Sequence, residues 1–364
     1  RCIEDVSSLG YKINNVGYLN PITENFDLDN LPFPNFDDLK IDNYKLGKKR
    51  ISFLISSRSC PHRCSFCSVH QTFGKKYRRR SVENILEEIQ QRVMEGYQII
   101  DFEDDNLTFF KKDMKELCLK LIDRFPDREV EFVAMNGISY LSLDKELLVL
   151  MKKAGFTHLN LALVSSDLTV RETTKRPHTV EKYVEIVNLA NSLGFKIVSY
   201  QILGLPNETL DSMIQTLCFN IQLPVLLGAS MFYLTPYSPI ARDFPEPNER
   251  DIFLSRLTAM AIETESFKRD DIYTLFIITR IINYLKSLSL ETDTDINSLF
   301  DECDSRWALN TNIKILKMLL KEKQLFMTNK SEKVLNKKFK FEIFEKVWNK
   351  LDFISLRGNK NEFK

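Results

Sequence analysis

Ile51-Ser52-Phe53-Leu54-Ile55-Ser56-Ser57-Arg58-Ser59-Cys60-Pro61-His62-Arg63-Cys64-Ser65-Phe66-Cys67 is the stretch from which the rest of this chain is read. An apolar run with the composition of a strand gives way to three cysteines at Cys-x3-Cys-x2-Cys spacing, three of the seven in the chain within eight positions. A loop this short can present three thiolates to one face of a cubane iron–sulfur cluster and leave the fourth iron open to a small molecule. Zinc is the competing metal, with His62 or His70 as fourth ligand. Unliganded cysteine is usually an isolated buried hydrophobe, and Pro61, His62 and Arg63 make this loop too polar for a core.

With Phe66 directly before the third cysteine and the run Ile51–Ile55 before the loop, the stretch resembles the radical S-adenosylmethionine (SAM) superfamily. The resemblance implies a 4Fe-4S cluster on Cys60, Cys64 and Cys67, with SAM chelating its open iron and Phe66 among the cofactor-binding residues. It also implies an enzyme that cleaves SAM reductively to a 5′-deoxyadenosyl radical, supplied with electrons by a reductase.

At 364 residues and 43% hydrophobic content, the chain is long enough for a barrel and a smaller accessory region. A formal net charge of +1 argues against a general polyanion binder. Seven cysteines without an even framework suit a reducing, cytoplasmic compartment, which an oxygen-sensitive cluster also needs. No signal peptide is legible, and an opening of Arg1-Cys2-Ile3 without methionine reads as a fragment. Thirty uncharged residues from Ser212 to Ala241 raise the question of a membrane span. Polar residues, Gly228, Pro236 and Pro239 interrupt them, so the expectation is a buried helix, a turn and a buried strand, with no transmembrane segment.

Residues 1–50 read as a connector, with Pro21, Pro32 and Pro34 spaced among Asn and Asp. In sequences that this one resembles, such a stretch follows an N-terminal cobalamin-binding domain, and no Asp-x-His-x-x-Gly loop of that domain is present here. From Ile51 short apolar runs alternate with helical periods. Six units are expected: strands at Ile51–Ser56, Gln98–Phe102, Glu131–Met135, Thr157–Val164, Lys196–Leu203 and Gly228–Leu234. Helices between them start near Ser81, around Met114–Ile122, and at Lys145–Ala154, Val180–Leu193 and Thr209–Gln222. Cys118 and Cys218 fall on the apolar faces of two of these helices and read as packing. The fold class is therefore α/β, a partial parallel (β/α)6 TIM-like barrel over residues 51–242, with a C-terminal helical region over 243–364. Helices are expected at Asp251–Phe267 and Ile272–Leu288, followed by an acidic stretch Ser287–Ser305 and a basic tail with fourteen Lys/Arg against six Asp/Glu from Lys314.

Sites of such a barrel lie at the C-terminal strand ends, where the cysteine loop falls. After the second strand, Glu103-Asp104-Asp105-Asn106 offers carboxylates, and Asp104 and Asp105 are the candidates to neutralise the SAM ammonium. Acids capping a helix are the plainer account. An Asp-Asp-Asn run here resembles the cobalamin-linked branch of the superfamily. After the fourth strand, Ser165 is a candidate ribose contact where the family often has Glu-Ser; Val164 stands in place of that Glu. Arg176-Pro177 resembles the family's Arg-Pro, which makes Arg176 a partner for the SAM carboxylate. After the fifth strand, Gly204-Leu205-Pro206-Asn207-Glu208-Thr209 resembles a Gly-x-Pro-x-Glu-Thr turn in which Gly204 lets the backbone approach adenine.

The run Lys75-Lys76-Tyr77-Arg78-Arg79-Arg80 interleaves bases with an aromatic, which is one way of binding RNA. The resemblance covers roughly Pro32 to Arg280. It implies cobalamin-dependent methyl transfer in the full-length protein and leaves the substrate open between a small molecule and a lipid-like one. The alternatives are an enzyme like the tRNA methylthiotransferases, which needs a second set of three cysteines, and a zinc-stabilised RNA-binding protein.

Overall fold

Six parallel strands carry the fold, each grown from one of the apolar runs: Lys49–Leu54, Ile99–Phe102, Glu131–Val133, His158–Val164, Lys196–Leu203 and Leu226–Met231. They are seen in a computed structural model that describes residues 2–21, 27–36, 38–176, 179–235, 237–245, 248–250, 262–292, 311–329 and 332–351. The first three pair in chain order, with Ile51 opposite Ile99 and Ile99 opposite Glu131. So do the last three, with His158 opposite Lys196 and Val198 opposite Leu226. Isolated parallel bridges, Phe132 with Phe156 and Ile138 with Leu161, join the two groups. The architecture is α/β with parallel strands. Its ladders are a four-stranded sheet, edged by the short antiparallel Lys45–Leu46, and a three-stranded sheet.

Alternation along the strands sends one set of side chains out to the helices. Leu54, Ile100, Phe102, Phe132, Leu159 and Leu161 pack there against Ile85, Ile89, Leu117, Leu147 and Ile186 in one large core. Ile51, Ile99 and Val133 form a small cluster of their own. The helices begin where their caps stand. Ser81 Oγ accepts from the Asn84 amide at 3.2 Å, and Asp144 Oδ1 from that of Leu147 at 2.8 Å. Thr209 and Ser212 form a reciprocal capping box. Cys118 and Cys218 take their expected places in the cores.

Several strand boundaries differ from the sequence reading: the first strand spans Lys49–Leu54 and not Ile51–Ser56, the second and fourth start one residue later than expected, and the sixth ends at Met231 and not Leu234. The third strand stops at Val133, because the Met135 amide leaves the ladder and donates to Asp101 Oδ1 at 2.9 Å. The sixth starts at Leu226, two residues before Gly228. There the Asn283 side chain bonds both the Leu227 N–H and C=O at 2.8 Å, closing the strand's free edge. Gly228 lies mid-strand, because a Cβ there would come within 2.4 Å of the Tyr200 ring.

The flanking regions hold two hairpins that were not expected. Gly10–Ile13 pairs with Val16–Leu19 through Asn14 and Asn15, both at positive φ, the requirement of a tight primed turn. Phe326–Asn329 pairs with Glu332–Leu335 in the region read as helical. Residues 27–36 dock on the helix Val82–Met94, since Asp29 accepts from the Ser81 amide at 2.9 Å and Phe36 stacks under the Arg92 guanidinium.

Of the expected helix Asp251–Phe267, residues 251–261 lie outside the described residues and 262–267 are not helical; most of the acidic stretch is also outside them. The next helix, Arg269–Thr292, starts three residues before the expected Ile272 and runs past Leu288. It shares a second core with the fifth and sixth strands and the helix between them, in which Ile272, Leu275, Ile278 and Ile282 meet Leu203, Met213, Leu217 and Leu227. Thr311–Glu322 and Phe341–Trp348 complete that core through Leu316, Leu319 and Phe344. Among the described residues no helix is long and apolar enough to cross a membrane.

Candidate functional site

The cysteine loop is tied at its neck and at its sides. Ser57 pairs with Arg79 and Arg58 with Arg78 in a short antiparallel ladder that closes the loop. Ser59, at φ 73°, turns the chain into it, donating its amide to Asp105 Oδ2 at 3.0 Å and its hydroxyl to the Gly74 carbonyl at 2.7 Å. Ser65 donates its amide to Thr174 O at 3.0 Å and accepts from the Ile240 amide at 2.9 Å. The loop after the first strand is thereby anchored to those after the fourth and sixth.

Cys60, Cys64 and Cys67 lie close together, and the negative charge of each neighbouring thiolate helps to raise the Cys67 pKa, after burial, which is the larger cause. Burial likewise pushes the Cys60 thiol up. Among the described residues no three His, Cys, Asp or Glu side chains are drawn together at metal-ligand spacing. The surroundings nevertheless fit a thiolate cluster. Asn106 Nδ2 stands 3.5 Å from Cys60 Sγ and Arg176 Nη1 3.7 Å from Cys64 Sγ, both presenting N–H groups to sulfur. Hydrogen bonds to sulfur are among the features that set a cluster's potential.

The other residues singled out in the sequence converge on this end of the strands in different ways. Phe66 packs with Val164, Leu205, Phe232 and Leu234, so it binds together the ends of the fourth, fifth and sixth strands. Asp105 is half-buried beside the cysteines, its pKa raised by burial. Asp104 is fully buried and engaged by its own chain, accepting from the Ser56 amide at 3.1 Å, the Ser56 hydroxyl at 2.7 Å and the Ser57 hydroxyl. Its pKa is raised, burial outweighing these bonds. Arg176 also donates to the Ala162 carbonyl, bridging the fourth strand to Cys64.

Ser165 is wholly buried, 3.2 Å from Glu208 Oε1 and 3.3 Å from Thr216 Oγ1. Just before it, Val164 sits at φ 72° with the Ser165 amide bonded back to the Leu163 carbonyl at 3.0 Å. That is a three-residue turn, uncommon for a β-branched side chain. Gly204 has the positive φ expected of its turn, +85°, and the space a Cβ would fill is taken by Ile272 Cδ1 at 2.5 Å.

Four contributors were not singled out in the sequence. Asn106 was visible only as the end of an acidic run. Glu208 was legible as part of a turn but not as a carboxyl that burial pushes up to about 8. Asp101 and Glu103 form a pair whose pKa values are both raised, first by burial; that of Glu103 reaches about 7. Asp101 lies on the side of its strand opposite Ile100 and Phe102, towards Tyr200, which bonds Asn160 at 2.6 Å.

The basic run turns largely inward. Arg78 donates to Phe73 O at 3.1 Å, Arg80 to Glu88, Asn84 and Ile55 O, and Tyr77 packs on Phe109 and Phe110. Lys75 and Lys76 are exposed. Nor do the described cysteines form a second set: Cys2 is exposed near the N-terminus, and Cys118 and Cys218 belong to different cores.

Residues 54–219 match the model of the radical SAM superfamily, whose members use a 4Fe-4S cluster and SAM. An uncharacterized methyltransferase of Pyrococcus horikoshii is 28% identical over 218 residues, 60% of this chain and 46% of that protein. The cytidylyl-2-hydroxyethylphosphonate methyltransferase of Streptomyces wedmorensis is 29% identical over 192 residues, 50% of this chain and 35% of that protein. The chain thus spans less than half the length of these curated relatives. Among solved structures, the cobalamin-dependent SAM radical enzyme OxsB, with aqua-cobalamin and SAM bound, superposes with a TM-score of 0.56. The superposition covers 89% of this chain and 52% of that one at 14% identity, a likeness of fold. The cysteine loop and the ends of five strands lie inside the matched segment, so residues 54–219 of this chain form a radical SAM domain.

Proposed function

We propose that this chain is the catalytic part of a cobalamin-dependent radical SAM methyltransferase, acting on a small-molecule or lipid-like substrate. The observation that carries the reading is the Cys60-Cys64-Cys67 loop at the end of the first strand of a radical SAM domain. We take the six strands as a partial (β/α)6 barrel over 51–242, preceded by a connector over 1–50 and followed by an accessory region over 243–364. The methyltransferase relatives support the reaction class.

A 4Fe-4S cluster, when bound, would supply the electron for reductive C–S cleavage of SAM to a 5′-deoxyadenosyl radical. In this chain Cys60, Cys64 and Cys67 would hold the cluster, with Asn106 and Arg176 directing N–H groups at two of the sulfurs. Asp105, half-buried beside the cysteines, would receive the SAM ammonium, and Asp104 holds the neck of the loop through Ser56 and Ser57. Phe66 and the Ser165–Glu208–Thr216 network fix the loops on the other side. A cavity of about 320 Å³ walled by Phe33, Phe36, Phe53, Ile55 and Glu103 opens between the connector and the first strand. Its lining also includes Arg58, Arg80 and Glu88, so mostly apolar walls with a few charged groups suit a mainly apolar guest that carries a polar group.

Anaerobic reconstitution is the test. The protein should take up about four iron per chain and form 5′-deoxyadenosine from SAM under reduction. Cys64→Ala should lose both by at least about tenfold, since only three thiolates are available. Stoichiometric zinc without iron uptake would overturn the assignment.

A further inference from the structure

The second strand ends with two carboxyls on one side. Ile100 and Phe102 point to the helices, so by alternation Asp101 shares the opposite side with Ile99, and Glu103 follows it there. The Glu103 amide still bonds the Leu54 carbonyl at 2.9 Å, which carries the pairing of the two strands one residue further. Ile99 meets Ile51 on that side, and the next residues of the first strand to share it are Phe53 and Ile55, two walls of the cavity between the connector and this strand. Glu103 lines the same cavity, and its carboxyl lies within hydrogen-bonding reach of that of Asp101. Asp101 is wholly buried. Its Oδ1 accepts from the Met135 amide at 2.9 Å, and among the described residues its Oδ2 meets no donor.

Two carboxyls in contact resist ionising together, and burial adds to the cost. Both are held above the usual carboxylate range, Glu103 at about 7, and no cation contributes to either shift. The basic groups of the cavity are engaged elsewhere: Arg80 pairs with Glu88, and Arg58 lies over the Phe73 ring and favours the charge on Asp105. Tyr200 faces the pair from the fifth strand, feels its negative charge, and directs its hydroxyl to the Met135 carbonyl at 2.6 Å. Asp105, which acts on Cys60 and Cys67, is a separate carboxylate.

We propose that Asp101 and Glu103 select the substrate, binding the ammonium group of a mainly apolar amine whose body occupies the cavity. The inference deepens the reading of this cavity as the substrate's and rests on it. An ammonium brings what the pair lacks, a cation with N–H donors, and at Glu103 it displaces the proton that the two carboxyls share. Binding therefore releases a proton and strengthens as pH rises through the range in which Glu103 ionises. A neutral guest of the same shape gains a hydrogen bond only, and an anionic one is repelled.

Calorimetry on the anaerobically reconstituted full chain, with phenethylammonium, phenethyl alcohol and phenylacetate as probes, decides this. The ammonium should bind at least about tenfold more tightly than the alcohol, and phenylacetate more weakly than either. Ammonium affinity should rise roughly tenfold from about pH 6 to about pH 8, with proton release seen as a dependence of the binding heat on the buffer. Glu103→Gln should cut that affinity at least about tenfold, remove its pH dependence and leave the alcohol within about twofold. Glu103→Ala gives the same comparison if the first variant fails to fold. No ammonium binding at up to about 10 mM, equal affinity for ammonium and alcohol, or a preference that ignores pH would overturn the inference. Displacement of the ammonium by SAM would also overturn it, because the pair would then belong to the cofactor's site. Failure to take up iron or to form 5′-deoxyadenosine would instead defeat the radical SAM reading, and the binding comparison can still be made on the iron-free chain.

Discussion

Glu208 shows what a single buried carboxyl does at the end of these strands. Its pKa is pushed up to about 8, first by burial, with the Ser165 hydroxyl opposing that shift. The folded state therefore holds a proton that the unfolded chain releases above about 4.5. Stability contributed by this group is present below the unfolded value and is lost as pH rises towards the folded one. Glu208→Gln should remove that dependence. The wild type should lose stability relative to the variant by up to about 1.4 kcal/mol per pH unit between roughly pH 5 and 8, measured by urea unfolding at several pH values. A constant difference across that range would mean that the carboxyl is not buried as a neutral acid. From the sequence Glu208 was one letter of a turn; its burial comes from the docking of that turn on Ser165, which also meets Thr216.

At the scale of an element, the sixth strand is set by what lies on each side of it. Gly228 faces Tyr200 on the fifth strand, and a Cβ would stand 2.4 Å from the ring's Cδ1 and 2.9 Å from Val198 Cγ1. Gly228→Ala should destabilise the protein by about 1–3 kcal/mol, the usual cost of overpacking. Adding Tyr200→Ala should recover part of that loss, because the ring is the nearer obstacle. A thermal or urea unfolding comparison of the single and double variants checks the coupling. Periodicity found the strand but not its ends. Alternation of apolar residues does not reveal that Asn283, more than fifty residues later, bonds both backbone groups of Leu227. The Asn14-Asn15 hairpin was legible by turn chemistry, and the exposed strands around it lack the apolar period that would have drawn attention.

Across the whole molecule, Lys286 couples the helix Arg269–Thr292 to the segment that leads into the sixth strand. Its ammonium donates to the carbonyls of Leu223 and Val225 at 2.8 Å, just before the sixth strand. Burial lowers its pKa to about 7. Here the unfolded chain binds the proton more tightly, so this residue makes the protein more stable as pH rises from about 7 towards the unfolded value of 10.5. Lys286→Met should flatten that rise, by up to about 1.4 kcal/mol per pH unit between roughly pH 7 and 9, seen as a smaller gain in unfolding free energy than in the wild type. An unchanged slope would show that the lysine stays solvated.

The sequence by itself determined the parallel α/β order, the caps at Ser81, Asp144 and Thr209, and the cysteine loop at the first strand end. These depend on local periodicity, on side chains that bond the backbone within three residues, and on ligands adjacent in the chain. Tertiary structure decided which strand-end residues face one another. It buried Asp104 and Ser165 in bonds of their own, set Ile272 against Gly204, turned Arg78 and Arg80 away from solvent and collected Arg63, Arg171 and Lys175 on one face. Each of these depends on contacts between segments far apart in the chain. Composition and spacing do not encode the docking of one loop on another, so the same residue types read alike whether they line a site or support it.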